Sequence, residues 1–304
     1  MKAKHSPNLK LLLLLIPILG TFLISGCTQS SGPTFGNGVT ILNWEPTFSQ
    51  VESGDRLQLR LRVQNQGEAI AVNVNPILTG IDTTEWGVAM INPFGINNNL
   101  LPPDRVQGTS GEIREKTFDL TAPLLPKGTT QQYSPQVRVF YDYRTTAIKT
   151  ITLVNENELK RLQDQGKTLS SSDTKTSSGP LKVTVNTGKF IKARDTGSLF
   201  SNTFPITIDI QNVGGGVVSR FNMPQDDYKV GIEIKWPSKL SPDAFGCGNA
   251  GNNVVLWKGQ SASLTCNVRI SNPPLTNEDT NIQVILNYGY YVDSTTTITV
   301  VGKE

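Results

Sequence analysis

Two stretches of this chain spell the same strand and turn at a fixed spacing. Leu59-Arg60-Leu61-Arg62-Val63-Gln64-Asn65-Gln66-Gly67 returns as Ile206-Thr207-Ile208-Asp209-Ile210-Gln211-Asn212-Val213-Gly214, so that Gln211 lies 147 positions after Gln64. Val137-Arg138-Val139-Phe140-Tyr141-Asp142-Tyr143 returns as Val284-Ile285-Leu286-Asn287-Tyr288-Gly289-Tyr290, again 147 positions on, and Thr150-Ile151-Thr152 as Thr297-Ile298-Thr299. Unrelated β-rich segments would drift in register, so three blocks at one spacing mean two copies of one unit. Each copy has the size of a single β-sandwich, the first over 39–154 and the second over 181–304.

Within the copies the apolar residues alternate with a period of two. Leu57, Leu59, Leu61 and Val63 fall on one face and Gln58, Arg60, Arg62 and Gln64 on the other; Ile206, Ile208 and Ile210 repeat the pattern. Such strands bury one side and wet the other. Helical periodicity is scarce, and short strands are punctuated by Gly, Pro and Asn. The expected fold class is therefore all-β: two tandem immunoglobulin-like antiparallel β-sandwich domains. Between them, 155–180 holds a short helix around Glu156 to Gln163 and then a polar run, Ser170 to Gly179, whose composition reads as a hinge or solvated linker.

The elements Val63-Gln64-Asn65-Gln66-Gly67 and Ile210-Gln211-Asn212-Val213-Gly214 resemble the V-x-N-x-G signature of CARDB-like domains. That resemblance implies immunoglobulin-like sandwiches of prokaryotic surface proteins, often described as related to cell adhesion. The local physical reason is that Asn bonds its own backbone, while Asn and Gly both tolerate the left-handed conformation of a tight connection.

The N-terminal region bears on location. Lys2, Lys4 and Lys10 precede an apolar run from Leu11 to Ile24, the pattern of a charged region followed by a hydrophobic one in an export signal. The run ends in Leu23-Ile24-Ser25-Gly26-Cys27, which resembles the lipobox of prokaryotic lipoproteins. The resemblance implies a signal peptide over 1–26, lipidation at Cys27, a flexible spacer over 27–38 and a location on the extracytoplasmic face of the cell membrane. An uncleaved signal anchor is the alternative; either way the bulk of the chain is tethered outside the cytoplasm. Without the three lysines before Cys27, 25 basic residues face 25 acidic ones, which removes the compositional case for nucleic-acid binding.

The single histidine, His5, lies in the signal, so the mature chain has no imidazole to serve as triad base or metal ligand. With Cys27 acylated, Cys247 and Cys266 remain, in a compartment where disulfides persist, and they are expected to bond to each other. Ala262, Leu264, Cys266, Val268 and Ile270 alternate with polar residues, which turns Cys266 toward a core. Reduction of this bond is expected to weaken the second domain alone. No Gly-x-Gly-x-x-Gly or Walker loop occurs, and no metal or cofactor is expected.

Candidate contact surfaces sit in the long insertions, 81–111 and 226–259. Trp86, Phe94 and Trp236 are the named candidates, with Trp257 also in the second insertion. An exposed indole stacks on a sugar or anchors a protein interface; the plainer reading of these tryptophans is that they cap the sandwich ends. Trp44 is assigned to packing. So are Tyr141, Tyr143, Tyr288 and Tyr290, which continue the inward series of their strands. Asp226-Asp227 and Glu278-Asp279 read as solvated turns in preference to calcium ligands. The expected function is that of a non-enzymatic, lipid-anchored envelope protein presenting sandwiches to an envelope protein or a surface glycan. A carbohydrate-binding or adhesion module is one alternative; a carboxylate enzyme or accessory acting on wall polysaccharide is another.

Overall fold

The computed structural model describes residues 38–88, 98–194, 202–221, 223, 225–243, 247 and 253–303. The expected signal, Cys27, the expected spacer up to residue 37 and Phe94 lie outside the described residues. The first copy comprises β1 (Val39–Pro46), β2 (Gln50–Glu52), β3 (Arg56–Asn65), β4 (Val72–Thr79), β5 (Ile113–Thr121), β6 (Thr130–Tyr133) and β7 (Gln136–Asn155). Next come α1 (Glu156–Asp164) and β8 (Lys175–Thr176). The second copy comprises β9 (Leu181–Asn186), β10 (Ile191–Ala193), β11 (Thr203–Asn212), β12 (Val217–Val218), β13 (Lys229–Lys235), β14 (Leu240–Pro242), β15 (Asn253–Val255), β16 (Ser261–Ile270), β17 (Asn277–Thr295) and β18 (Ile298–Val301).

The fold is an all-β sandwich, as the alternation requires. Each copy has an outer sheet, β1-β3-β5 in the first and β14-β16-β11-β9 in the second. Leu57, Leu59, Leu61 and Val63 on β3 and Ile206, Ile208 and Ile210 on β11 are buried.

The inner sheet is shared. β7 and β17 pair antiparallel from Gln136↔Thr295 to Val154↔Asn277, and β4, β8 and β10 on one flank and β12, β13 and β15 on the other extend a single sheet through both copies. At the middle of this ladder Asp142 faces Gly289, its own repeat equivalent, so the copies are related by a local two-fold axis through that pair. Val137, Val139, Tyr141, Tyr143, Ala147, Ile151 and Leu153 of β7 and Val284, Leu286, Tyr288 and Tyr290 of β17 are buried in one continuous core.

About this axis the copies exchange strand ends. β18, the last strand of the second copy, lies between β2 and β6 of the first, with Val300↔Val51 and Val300↔Gln131. Reciprocally, the end of β7 lies between β10 and the start of β17, with Leu153↔Ile191 and Leu153↔Glu278. Leu153 and Val300 are repeat equivalents. The tandem copies therefore interlock, and their described residues fall in one compact unit.

The segment read as a solvated linker is stitched to the sheets by its hydroxyls. α1 is capped by Asn155, which accepts from the N–H of Asn157. Beyond it, the buried Lys149 amine donates to Ser171 Oγ (3.2 Å) and to the Ser172 carbonyl. Ser172 Oγ donates to the Thr150 carbonyl (2.8 Å) and Thr176 Oγ1 to the Val183 carbonyl (2.7 Å); Thr174 Oγ1 accepts from the Val185 N–H (2.9 Å). Ser and Thr side chains here supply the bonds that a regular strand would supply from its backbone, which composition alone does not reveal.

Candidate functional site

The motif asparagines occupy equivalent places and do the same work. Asn65 Nδ2 donates to the carbonyls of Ala69 (2.8 Å) and Leu100 (2.9 Å), while its Oδ1 accepts from the Gly67 N–H (3.1 Å). Asn212 Nδ2 donates to the carbonyls of Gly216 (3.0 Å) and Gly259 (3.1 Å), and its Oδ1 accepts from the Gly214 N–H (3.2 Å) and from the Tyr290 hydroxyl (2.9 Å). Each side chain closes its own turn and also fixes a distant loop, an arrangement that only an amide, with donors and an acceptor on one group, can satisfy.

In the second copy the loop so held is Leu256-Trp257-Lys258-Gly259-Gln260, between β15 and β16. Leu256 is buried and donates its N–H to the Tyr228 carbonyl (2.9 Å). Trp257 N–H bonds the Ser261 carbonyl (2.7 Å), and the N–H groups of Gly259 and Gln260 return to the carbonyls of Leu256 (3.2 Å) and Trp257 (2.9 Å). The turn needs two left-handed residues, Lys258 (φ 48°) and Gly259 (φ 71°). Gly259 is obligatory: a Cβ there would sit 2.9 Å from the Tyr228 ring.

The result is a tryptophan held outward. Trp257 is 75% exposed, and Val255 beside it is 62% exposed. The indole borders an open groove of about 780 Å³. The groove is also lined by Tyr228, Val254 and Val255 and, from the outer face of β11 and β16, by Asp209, Gln211, Ser261 and Ser263. Asp209 is oriented before anything binds: Ser263 Oγ donates to Oδ1 (2.7 Å) and Asn186 Nδ2 to Oδ2 (2.8 Å). Lys258 Nζ stands 5.9 Å from the centre of the Trp257 ring.

The two tryptophans singled out with Phe94 have other duties. Trp86 is fully buried and meets the Tyr133 ring edge-on at 5.0 Å, so it offers no stacking surface. In the same insertion Leu100 is buried and bridged to Ala71, while Leu101 and Val106 are exposed. Trp236 is half-buried against the core. Trp44 is buried, donates Nε1–H to the Pro135 carbonyl (3.1 Å) and meets Phe118 edge-on. Only the local signal Trp257-Lys258-Gly259, a turn between two strands, separates the exposed indole from the buried ones in the sequence.

Ionisable groups elsewhere serve the scaffold. Tyr141, Tyr143, Tyr288 and Tyr290 pack as a quartet around the local axis with ring centres 5.7–6.3 Å apart. Burial pushes Tyr143 and Tyr290 up to about 12 and raises Tyr288 and Tyr141 well above the usual phenol range. Arg138 forms a bidentate pair with Asp293 (2.8 Å for both bonds), which raises the guanidinium further, and its Cζ lies 4.0 Å from the centre of the Tyr291 ring. Asp226 accepts from the Tyr291 hydroxyl, Asp227 pairs with Arg220, Glu278 pairs with Lys239, and Asp279 accepts from Thr152. Among the described residues no group of three His, Cys, Asp or Glu could hold a metal ion. Cys247 and Cys266 form the expected disulfide, with Cys266 buried on β16. Among the described residues no helix is long and apolar enough to cross a membrane.

No protein-family model and no curated protein matches the chain. Among solved structures, a Salmonella alpha-2-macroglobulin is 9% identical with a TM-score of 0.23, over 90% of this chain and 23% of that one. The Enterococcus faecalis MSCRAMM ACE is 7% identical with a TM-score of 0.13, over 86% of this chain and 95% of that one. The chain thus spans about a quarter of the macroglobulin. Both likenesses are too slight to bear on function.

Proposed function

We propose that this is a non-catalytic binding protein of the cell envelope, exported and tethered by lipid at Cys27, which presents one interlocked body with a CARDB-like repeat to a partner at the surface. The observation that carries the reading is Trp257: an indole three-quarters exposed, on a turn held by the backbone bonds of Leu256, Trp257, Gly259 and Gln260 and locked by the motif residue Asn212. Ordering a large exposed aromatic ring without burying it forgoes its hydrophobic stabilisation, roughly 1.5–3 kcal/mol for a large apolar side chain. A contact that recovers it is the natural explanation, since aromatic anchors held rigid lose little entropy on binding.

The electrostatics support binding over acid–base catalysis. Every resolved shift among the described residues moves a group away from neutrality: tyrosines and arginines upward, Glu156 and Glu158 downward. A general acid or base is tuned toward the working pH.

Two measurements test the reading. Metabolic labelling with an alkyne fatty acid should tag the native chain and leave Cys27→Ser untagged and unanchored. A photoreactive residue in place of Val255 should yield surface adducts on intact cells, while the same residue in place of Val106, almost wholly exposed on the first copy, should not. Indistinguishable adduct patterns at the two positions would refute the groove as the contact surface.

A further inference from the structure

Resting on the groove as the contact surface, we infer that its occupant is a neutral oligosaccharide, with one pyranose ring stacked on Trp257 and its hydroxyls bonded across to Asp209 and the neighbouring polar row. The chemistry facing the groove selects this class. A sugar ring presents a face of weakly positive C–H groups, which suits the negative face of an indole. Around its rim it carries hydroxyls that both donate and accept. The groove lining answers with a carboxylate, an amide and two hydroxyls: Asp209, Gln211, Ser261 and Ser263.

Asp209 is the most telling member. Its oxygens already accept from Ser263 and Asn186, and an ionised carboxylate has about four lone-pair sites, so two remain for ligand hydroxyls in a fixed orientation. Such charge-assisted bonds are the stronger kind. The formal charges at the groove, Asp209 and Lys258, cancel, which matches a neutral ligand and gives no attraction for a polyanion. The groove volume of about 780 Å³ lies within the roughly 300–1,000 Å³ of small-ligand clefts.

A peptide fits the same surface less well. The strand bordering the groove, β15, has three residues, too short a ladder for strand addition, which relies on main-chain bonds. A protein hot spot is shielded by surroundings that exclude water, whereas Trp257 stands beside a row of small polar side chains on an open groove.

The test is titration of the full chain with tetramers of N-acetylglucosamine, glucose, mannose and xylose, followed by tryptophan fluorescence and calorimetry. Concentrations should reach about 10 mM, so that binding as weak as Kd ~1 mM is saturable. Trp44 and Trp86 are buried and Trp236 half-buried, so a change in indole emission on binding reports chiefly Trp257. We expect saturable binding of at least one tetramer, weakened about tenfold or more by Trp257→Ala, largely kept by Trp257→Phe, and weakened severalfold by Asp209→Asn. All three variants should melt within a few degrees of the parent, their positions lying at the surface. Absence of saturable binding, or binding indifferent to Trp257→Ala, overturns the inference. If the photoreactive residue at position 255 still captures a protein, the sugar assignment alone falls; if it captures nothing, the contact surface falls with it.

Discussion

Four phenols meet where the two copies meet. Tyr141 faces Tyr290 and Tyr143 faces Tyr288 across the β7–β17 ladder, and each outer hydroxyl finds a backbone donor in its own copy: Ala69 N–H for Tyr143 (3.1 Å) and Gly216 N–H for Tyr290 (2.9 Å). Tyr288 instead shares a bond with Thr145 (2.8 Å). The period of two in Val137, Val139, Tyr141 and Tyr143 made their burial legible; their convergence on an axis was not, because period states a face and not a neighbour. Burial raises these groups by disfavouring the phenolate, to about 12 for Tyr143 and Tyr290. A phenol near 10 in the unfolded chain and near 12 in the fold contributes stability that is fully present below pH 10 and lost as pH rises toward 12. For each of these two residues that amounts to about 2–3 kcal/mol. Alkaline titration should therefore show stability level to about pH 10 and then falling steeply. The ultraviolet absorbance of the buried phenolates should rise together with unfolding, and gradual ionisation of all four in a folded chain would contradict this.

At the scale of elements, β18 belongs to one copy and completes the other. Ile298 and Val300 are fully buried, and their strand bonds β2 on one side and β6 on the other. Trimming a buried aliphatic chain to Ala costs roughly 2–5 kcal/mol. Ile298→Ala should incur that loss, and hydrogen exchange should place the first loosening at Gln50–Glu52 and Thr130–Tyr133, elements of the first copy more than 150 positions away. Loosening confined to strands of the second copy would contradict the exchange of strand ends. The same topology explains the stitched segment after α1. Because β7 runs on into the second copy, the chain must return along the sheet to start β9, and Thr174, Thr176 and Ser177 bond the strands it passes.

For the whole molecule, one continuous core and reciprocal strand ends imply one unfolding event. Both copies should lose hydrogen-exchange protection together, with equal calorimetric and van't Hoff enthalpies, the signature of a single cooperative unit. Reducing Cys247–Cys266, which closes a span of 19 residues, should lower that single transition by about 3 kcal/mol in the loop-entropy picture. Two separated melts, or a weakened second copy beside an untouched first, would show that the copies are independent. The amino-acid pattern alone specified the duplication, the buried faces of β3, β7, β11 and β17, the turn-closing asparagines and the disulfide. Only assembly in three dimensions decided that β18 and the end of β7 trade places, that a serine-rich run becomes a strap, and that Trp257 faces outward while Trp86 is sealed. The reason is physical. Side-chain periodicity records which face of a strand leaves water, but the bonds that choose its neighbour come from backbone groups that every residue shares.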